Sequence, residues 1–443
     1  MSRRRSRRQR LPSEAFTATI DSMAHDGRGV AHLDGKAVFI DGALPGEDVR
    51  FLYVSQRRSY DEGRTVEVLR ASPERVEPRC PHFGVCGGCS LQHQGPAAQI
   101  RAKQGVLLDN LERLGRVEPE TVLEPLRGPS WGYRRKARLG VRYVRAKGKV
   151  LVGFRERHSS FVTDLSRCEV LHPAIGLILP ELQACIGALS IFDKLAQIEV
   201  AIGDESRALV FRNLAEPTAE DRARLRAFGV DHGFDVYLQP GGPATVAPLN
   251  DGAQPLSYAL PAYGVDFRFG PMDFTQVNAD INRAMVEHAL KLLDPRAGER
   301  IIDLFCGLGN FTLPIAREAE RVIGVEGDQE LVARARENAM RNGVGNAEFH
   351  AADLTSEFEN APWLRAGVDK ALLDPPRSGA LEVLPHLVKL RPLRIVYVSC
   401  NPATLARDAG ELVHAYGYRL LAAGVMDMFP HTAHVESIAL FER

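Results

Sequence analysis

The fold is decided by the stretch IIDLFCGLGNFTLPIA at residues 301–316. Its pattern predicts a short apolar strand, a Gly307-x-Gly309 turn and the beginning of a helix. Glycines let the backbone approach a ligand closely, and the N-terminus of a helix offers N–H groups that have no partner within the helix. A lone Gly-x-Gly is weak evidence for a nucleotide site, so the interpretation depends on the segments that follow.

Two acidic residues follow at the ends of the next predicted strands. RVIGVE ends at Glu326, 23 residues after Asp303, and a strand near AEFHAAD ends at Asp353. An acid at the position of Glu326 can accept hydrogen bonds from both ribose hydroxyls of a nucleoside. An acid at the position of Asp353 can accept a hydrogen bond from the adenine edge. Phe311 and Thr312 stand where the dinucleotide fingerprint has its third glycine, which disfavours a nicotinamide cofactor.

Two further predicted strands end in chemically active residues. VDKALLDPPRSG places DPPR at 374–377, and LRIVYVSCNPATLARD places Cys400 just before a helix beginning near Pro402. The alternation of strands and helices from about residue 266 predicts a largely parallel, doubly wound sheet. Ligands of such sheets bind beyond the carboxyl ends of the strands, so both motifs are expected in one crevice with Gly307. We expect the helix dipole to depress the pKa of the Cys400 thiol.

A thiolate in this position has a use in methyl transfer to carbon. Carbon 5 of uracil is a poor nucleophile until a thiolate adds to carbon 6 and converts the ring to an enolate. The adduct must then lose its carbon 5 proton, which requires a general base. Glu436, in MFPHTAHVESIALF near the start of the last predicted strand, is the candidate base. Asp374 is expected to position the cofactor or the nucleobase instead.

These motifs carry a family resemblance. Asp-x-Phe-x-Gly-x-Gly with a downstream acid resembles class I methyltransferases. SCNPATLARD, DPPRSG, DLFCGLGNFTLPIA, FTQVN and MFPHTAHVE, which lie between residues 274 and 436, together resemble the bacterial RNA uracil-5-methyltransferase family. The resemblance implies Cys400 as the nucleophile, Glu436 as the base and S-adenosylmethionine as the methyl donor. It implies cofactor-binding positions at Gln276, Phe305, Asn310, Glu326, Asp353 and Asp374.

The cysteines form a second pattern. The seven are at 80, 86, 89, 168, 185, 306 and 400, and an odd number in a chain without a secretory signal favours metal or catalytic roles over disulfides. Cys80-x5-Cys86-x2-Cys89 places three thiolates in a glycine-rich loop, which fits zinc or an iron–sulfur cluster. A fourth ligand is required, and Cys168 is the candidate. Cys185 and Cys306 are predicted to pack in the core.

The spacing of this cysteine loop separates its possible metals. It differs from the x3-x2 spacing of radical S-adenosylmethionine enzymes, and it resembles the 4Fe–4S site of ribosomal members of the family named above. That resemblance implies a structural or RNA-folding role for the cluster. His82 and His93 stand near enough to serve as alternative zinc ligands, so zinc remains open.

Residues 13–71 read as five short strands separated by glycine and Pro-Gly turns: AFTATI, GVAHL, KAVFI, DVRFLYVS and GRTVEVLRA. Five strands in so short a stretch predict a small closed barrel, an architecture that often holds RNA or single strands. GRGVAHLDGKAVFIDGALPGE resembles the TRAM domain, an RNA-binding barrel appended to RNA-modifying enzymes. The alternative is a barrel that serves only as a spacer.

The net charge is zero, but the basic residues are unevenly placed. Six of the first ten residues are Arg, and residues 133–149 carry eight Arg and Lys with no Asp or Glu. Such blocks can pair with phosphates. The first block is either a solvated tail or an RNA contact. The second alternates basic with apolar residues as a half-buried strand does, which predicts an RNA-facing surface.

The chain of 443 residues is too long for one ordinary core, and the sequence predicts a multidomain protein. A basic flexible tail (1–12) precedes a TRAM-like small β-barrel (13–71). A central α+β domain with the iron–sulfur loop and an RNA-binding surface (72–265) precedes an α/β class I methyltransferase domain with a Rossmann-like sheet (266–443). No apolar run reaches the roughly 18–20 residues that span a membrane, so a cytoplasmic protein without an obligate protein partner is expected.

The resemblance implies methylation of carbon 5 of a specific uridine in 23S ribosomal RNA. Within the family, the tRNA enzymes resemble the catalytic part but lack the cysteine loop and the barrel, and a second ribosomal type has only the cysteines. A ribosomal enzyme of another or dual site specificity is one alternative, and a non-catalytic iron–sulfur RNA-binding protein is another. An amino-group methyltransferase also uses an Asp-Pro-Pro signature, but it needs no thiolate, and Arg377 replaces its aromatic residue.

Overall fold

The computed structural model describes residues 11–356, 358 and 360–443. Contacts between residues divide the chain into two compact units, one reaching residue 102 and including 431–433, the other formed by 103–430 and 434–443. The second unit therefore holds most of the predicted central domain together with the predicted methyltransferase domain. The six arginines of the predicted tail lie outside the described residues.

The described part of the first unit contains one mixed sheet. Its strands are β1 (Phe16–Thr19), β2 (Ser22–Met23), β3 (Gly29–Leu33), β4 (Lys36–Asp41), β5 (Asp48–Gln56) and β6 (Tyr60–Arg70), in the spatial order β1-β5-β6-β4-β3-β2. The five strands predicted from the sequence are all present. The edge strands β1 and β2 are separated only by Ile20 and Asp21, whose N–H groups donate to Glu47 O (2.9 Å) and Val30 O (2.8 Å). One bent segment therefore forms both edges of the sheet.

Helix α1 (Pro96–Asn110) contains the boundary between the units, and a π-helical turn at Leu111–Gly115 follows it. The second unit begins with a short strand, β7 (Thr121–Val122), and a second sheet with its helices. These elements are β8 (Lys136–Val144), β9 (Lys149–Gly153), α2 (Pro173–Gly176), α3 (Leu179–Gly187), β10 (Leu195–Ile202), β11 (Arg207–Asn213), α4 (Ala219–His232), β12 (Asp235–Leu238) and β13 (Ala247–Pro248).

This second sheet has the strand order β13-β12-β11-β10-β8-β9. Along β8, Ala137, Leu139 and Val141 are buried while Arg138 and Arg142 are exposed. The alternation predicted for the basic block is therefore confirmed, because side chains on a strand point to opposite faces in turn. Helix α4 begins with a capping box, in which the Thr218 side chain accepts from the N–H of Asp221.

The remaining elements of the second unit start with a hairpin and continue as alternating strands and helices. They are β14 (Leu256–Leu260), β15 (Val265–Phe269), α5 (Ala279–Leu293), β16 (Arg300–Leu304), α6 (Thr312–Ala316), β17 (Arg321–Glu326), α7 (Gln329–Arg341), β18 (Ala347–Ala351), β19 (Lys370–Leu373), α8 (Leu384–Lys389), β20 (Arg394–Ser399), α9 (Pro402–His414), β21 (Arg419–Met426) and β22 (Glu436–Glu442).

These strands form an eight-stranded sheet in the order β18-β17-β16-β19-β20-β22-β21-β7. Strand β22 runs antiparallel to both of its neighbours, and the other neighbouring pairs are parallel. Every residue of β19 is buried, as expected for a strand covered on both faces. The carboxyl ends of β16, β17, β19 and β20 meet at one edge, and the amino end of β22 reaches the same edge. Within the described part of the chain, we find no helix of the length and apolarity that a membrane crossing requires.

Candidate active site

The turn after β16 is built on left-handed backbone. Phe305, Gly307 and Gly309 have φ values of 64°, 53° and 88°. A side chain at Gly309 would bring a Cβ to 3.2 Å from the Phe349 ring, so glycine is required there for space as well as conformation. Phe305 is a bulky residue in this region, which costs on the order of 1 kcal/mol and recurs where backbones approach ligands. Its N–H donates to Val325 O at 2.9 Å and fixes the turn against β17.

Glu326, at the end of β17, is held by backbone N–H groups on both of its carboxylate oxygens. Gly307 N–H donates to Oε2 at 3.1 Å, and the N–H groups of Gly327 and Asp328 donate to Oε1 at 2.7 and 3.2 Å. A carboxylate has about four acceptor sites, so with three N–H donors in place about one site remains for a ligand hydroxyl group. This geometry suits the predicted role of Glu326 as the ribose acceptor.

Asp353, two residues beyond β18, is exposed at the same edge. Its Oδ1 accepts from the Thr355 hydroxyl (2.7 Å) and the Thr355 N–H (2.9 Å), and these hydrogen bonds lower the pKa of the carboxyl. An ionised carboxylate only accepts hydrogen bonds, and the exocyclic amino group of adenine is a donor. The placement of Asp353 therefore suits the adenine edge predicted for it.

Asn310 is positioned by two residues that the sequence analysis missed. Its side-chain amide forms a reciprocal pair with Asn282, at 2.9 and 3.1 Å, and the Tyr258 hydroxyl donates to the same Oδ1 at 3.0 Å. Gln276, Tyr258 and Asn282 line a cavity of about 20 Å³, room for roughly one water molecule. Most of the hydrogen-bonding capacity of Asn310 is thus used within the protein. No sequence motif indicated this, because Tyr258 lies on a hairpin 52 residues earlier.

Asp303, the first acid of the glycine-turn motif, is fully buried in β16. The Thr312 hydroxyl donates to its Oδ2 at 2.5 Å, which ties the start of α6 to the strand. Burial, reinforced by the charges of Asp374 and Glu326, raises the pKa of Asp303 to about 7. Asp303 therefore supports the turn rather than facing a ligand.

The two predicted catalytic residues are brought together by the antiparallel pairing of β20 with β22. Ser399 pairs with Ser437 in this register, and the Ser437 hydroxyl donates to Ser399 O at 3.0 Å. One step further along the same register, Cys400 faces Glu436. Asp374 follows β19, and its N–H donates to Leu304 O at 3.3 Å, next to the glycine turn. Cys400, Glu436 and the glycine turn thus share one edge of the sheet, which is the placement that the sequence predicted.

Burial dominates the acid–base properties of this site. Glu436 is 4% exposed, and its burial and the charge of Asp374 raise its pKa to about 8. Asp374 keeps a small exposed fraction but is surrounded by protein, and this desolvation raises its pKa to about 7. A carboxylate with a raised pKa is a stronger base when ionised, which suits proton abstraction from carbon.

The pKa prediction for Cys400 is wrong. The pKa of the thiol is raised, because the side chain is half-buried and lies beside the charge of Glu436. Cys400 precedes the N-cap of α9, which is Asn401, whose side-chain oxygen accepts from the N–H of Ala403 at 3.1 Å. Desolvation and a like charge therefore outweigh the helix dipole at this position.

Arg377 is the cation of the site, and the sequence analysis gave it no role there. Its charge acts to lower the pKa values of both Cys400 and Glu436, so the guanidinium lies close to both groups. Its Nη2 lies 3.3 Å from Nδ1 of His434, whose pKa is lowered by burial and by the charge of Arg377. A neutral His434 can accept a hydrogen bond from the guanidinium at this nitrogen. Arg377 therefore supplies a positive charge beside the Cys400 thiol.

The cysteine loop lies in the first unit and Cys168 in the second. Cys86 and Cys89 are buried, Cys80 is half-buried, and Gly88 N–H donates to Cys86 Sγ at 3.4 Å. Among residues 11–356, 358 and 360–443, no three His, Cys, Asp or Glu side chains are arranged to hold a metal ion. The core position predicted for Cys306 is confirmed, since it is 4% exposed, whereas Cys185 is only partly buried.

Comparison with known proteins gives consistent matches. The family model described as tRNA (Uracil-5-)-methyltransferase matches residues 260–443. A protein of Alkalilimnicola ehrlichii named 23S rRNA (uracil(1939)-C(5))-methyltransferase RlmD is 60% identical, covering 99% of this chain and 98% of that protein. The Methylococcus capsulatus protein of the same name is 58% identical, covering 99% of each.

One solved structure resembles the whole chain. It is the Pyrococcus abyssi tRNA (uracil-54, C5)-methyltransferase in complex with S-adenosyl-L-homocysteine. The two chains are 25% identical with a TM-score of 0.74, and the match covers 96% of this chain and 99% of that one. The resemblance therefore extends over both compact units.

Proposed function

This chain belongs to the RNA uracil-5-methyltransferase family, and from that premise we propose that it transfers the methyl group of S-adenosylmethionine to carbon 5 of a uridine in 23S ribosomal RNA. The observation that carries the proposal is the facing pair of Cys400 and Glu436 beside the glycine turn. The ribosomal relatives are named for uracil 1939, and identity of 60% over nearly the whole chain supports the corresponding uridine as the target.

The methyl donor would be held by the residues at the carboxyl edge of the sheet. Glu326 would accept a hydrogen bond from the ribose and Asp353 one from the adenine amino group, and the left-handed turn at Phe305 would bring the backbone close to the ligand. Asn310 and Gln276 would contact the methyl donor beside Tyr258 and Asn282. S-adenosylmethionine, when bound, supplies an electrophilic methyl group. Asp374 stands between this turn and Cys400, which suits it to position the nucleobase or the donor.

The protein side chains would then act in sequence. Cys400 loses its proton to solvent, and its sulfur adds to carbon 6 of the uracil, which moves the electron pair of the double bond toward carbon 5. Carbon 5 takes the methyl group, whose bonding electron pair would stay on the sulfur of the departing S-adenosylhomocysteine. The Glu436 carboxylate then removes the proton that carbon 5 carries. Loss of the sulfur from carbon 6 then restores the double bond and frees Cys400. Arg377 favours the thiolate at both the first and the last step, because its charge opposes that of Glu436.

The assignment to ribosomal RNA is supported by sequence identity to named relatives, and not by which domains the chain contains. The Pyrococcus tRNA enzyme covers 96% of this chain, so a full-length N-terminal region does not separate ribosomal from transfer RNA enzymes. The expectation that tRNA enzymes lack that region is therefore too general. Four relatives with 55–60% identity are each named as a 23S ribosomal RNA enzyme, and this favours ribosomal RNA.

The substrate is tested by methyl transfer from labelled S-adenosylmethionine to RNA made in vitro. We expect one methyl group per fragment of 23S ribosomal RNA that contains the uridine corresponding to 1939, mapped by mass spectrometry. The same fragment with cytidine at that position is the matched control and should take up no label. Transfer to unmodified tRNA with the ribosomal fragment left unlabelled would contradict the ribosomal assignment.

We further infer that Cys80, Cys86, Cys89 and Cys168 bind a 4Fe–4S cluster. The donor set supports this, because four thiolates suit such a cluster, and the Gly88 N–H directed at Cys86 Sγ is the kind of contact that stabilises a ligating sulfur. The cluster would serve the fold or the RNA surface. The methyl transfer proposed above needs no electron from it.

The cluster is tested on protein purified without oxygen. We expect a brown protein with about four iron atoms and four sulfides per chain. Cys89→Ser should lose the colour and most of the iron, whereas Cys185→Ser should keep both, because Cys185 lies in helix α3. A colourless wild-type protein with one zinc ion per chain would refute the cluster.

Two surfaces would receive the RNA. The bent β1–β2 segment on both sheet edges supports a closed barrel of the TRAM type in the first unit. In the second unit, a groove of about 850 Å³ runs along β8 and β9, and Arg138, Arg142 and Lys147 are among its lining residues. Positive side chains along a groove suit a nucleic-acid backbone.

A further inference from the structure

The structure assigns a positioning role to a buried pair, Tyr397 and Asp408, which we propose holds the catalytic DPPR loop against Cys400. Tyr397 lies on β20, three residues before Cys400, and Asp408 lies on α9, eight residues after it. Both side chains are 0% exposed. The inference rests on the proposed function, since it concerns the same site.

Asp408 joins three parts of the fold through its carboxylate. The Tyr397 hydroxyl donates to Oδ2 at 2.6 Å, and the backbone N–H of Ala380 donates to the same oxygen at 2.7 Å. Arg407 pairs with Oδ1 at 2.7 Å. A buried charge with these partners is stable, but removal of one partner leaves it uncompensated, which is costly.

The rest of the loop is attached to the same helix. The Asn401 amide and the Thr404 hydroxyl both donate to Arg377 O, at 3.0 and 3.3 Å, and Arg407 donates to Ser378 O at 2.9 Å. With the Asp408–Ala380 bond, helix α9 contacts residues 377, 378 and 380 in turn. The loop that carries the cation of the site is therefore fixed to the helix that follows the nucleophile.

Gly379 is the residue that allows this close approach. Its φ is 80°, and a Cβ there would lie 2.6 Å from Asp408 Oδ2 and 2.7 Å from Nη2 of Arg407. Any side chain would push the loop away from α9, because the Asp408 carboxylate is fully buried and held by hydrogen bonds, even though the exposed Arg407 side chain can move. The glycine of the DPPRSG motif is thus required by the pair beneath it.

The consequence for the reaction lies in the charges that face Cys400. These are the carboxyl groups of Asp374 and Glu436 and the guanidinium of Arg377, with His434 beside Arg377. Only the guanidinium favours the thiolate. A loop that is no longer held at Ala380 and Arg377 would withdraw this cation while Glu436, on β22, stays in place. Cys400 would then ionise at higher pH.

The test is the pH dependence of Cys400 alkylation by iodoacetamide in the full chain without RNA, followed on the Cys400 peptide by mass spectrometry. In Tyr397→Phe we expect the midpoint to rise by about one pH unit, the size of effect that a neighbouring opposite charge has. Tyr418→Phe is the matched control, because Tyr418 is equally buried and its hydroxyl donates to Pro392 O at 2.7 Å, outside the site. Its midpoint should equal that of the wild type.

A second variant keeps the proposal testable if the loss of the buried hydroxyl prevents folding. Gly379→Ala keeps both Tyr397 and Asp408 and displaces the loop through the clash of its Cβ with the Asp408 carboxylate, so it should also raise the midpoint. Unchanged midpoints in the folded variants, with a fall in melting temperature matching that of Tyr418→Phe, would overturn the positioning role and leave a structural one. Because no RNA is used, failure here is distinct from failure of the proposed methyl transfer.

Discussion

Cys400→Ala is expected to abolish the covalent complex that the wild-type protein forms with 5-fluorouridine RNA and S-adenosylmethionine. Fluorine at carbon 5 cannot be removed as a proton, so the adduct is trapped after the sulfur has added and the methyl group has transferred. The complex should survive denaturation and appear as a shifted band in gel electrophoresis. Methylation of ordinary RNA should fall by about 10⁴-fold or more, because no other group can form the bond to carbon 6.

Cys185→Ala is the control for this variant. Cys185 is also partly buried, and burial raises the pKa of its thiol to about 11, but it lies on α3 away from the sheet edge. It should form the adduct at the wild-type rate. A denaturation-resistant adduct in Cys400→Ala, or none in the wild type on the ribosomal fragment, would refute Cys400 as the nucleophile.

The strands and the positions of Cys400 and Glu436 at the sheet edge could be predicted because each depends on local pattern. Apolar runs such as RIVYVS give buried strands, and the position of Cys400 directly after one of them places it at the ligand edge. Glu436 at the start of β22 could be placed for the same reason. These inferences need only the order of elements along the chain.

Other features depend on contacts that no local pattern records. Strand β7 is two residues long and pairs with β21, some 300 residues later, so nothing near Thr121 indicates a strand. Tyr258 reaches Asn310 because a hairpin is packed beside the glycine turn. The pair of Tyr397 and Asp408 is likewise visible only once α9 is seen against β20.

The error over Cys400 has the same origin. The helix dipole is a local property and can be read from the sequence, whereas the desolvation of the thiol and the charge of Glu436 come from tertiary structure. Both effects that raise the pKa of the thiol therefore depend on tertiary structure and cannot be inferred from the local sequence. Because the pKa of the thiol is raised, the positive charge of Arg377 is the influence in the site that favours the thiolate.

Glu436→Gln is expected to stop the reaction two steps later than Cys400→Ala, after sulfur addition and methyl transfer. The amide cannot take the carbon 5 proton, so after methyl transfer the sulfur stays on carbon 6. Ordinary uridine RNA, without fluorine, should then accumulate as a methylated covalent complex, and turnover should fall about 10²–10⁴-fold. Labelled methyl groups in a denaturation-resistant band measure this directly. Glu442→Gln, at the other end of β22, where the carboxylate pairs with Arg394 at 2.9 Å, is the matched control.

The pH dependence of folding gives an independent check on Glu436. Its folded pKa of about 8 lies above the ordinary value of 4.5, so the folded state holds a proton that the unfolded state releases. The stability that Glu436 contributes is fully present below pH 4.5 and is lost as the pH rises toward 8. Glu436→Gln removes the titration, so its melting temperature relative to the wild type should improve between about pH 5 and pH 8.

A Glu436→Gln protein that turns over normally, or that releases methylated RNA without an adduct, would show that another group is the base. If activity is lost but the pH dependence of the melting temperature is the same as in the wild type, Glu436 does not have the raised pKa that burial would give it.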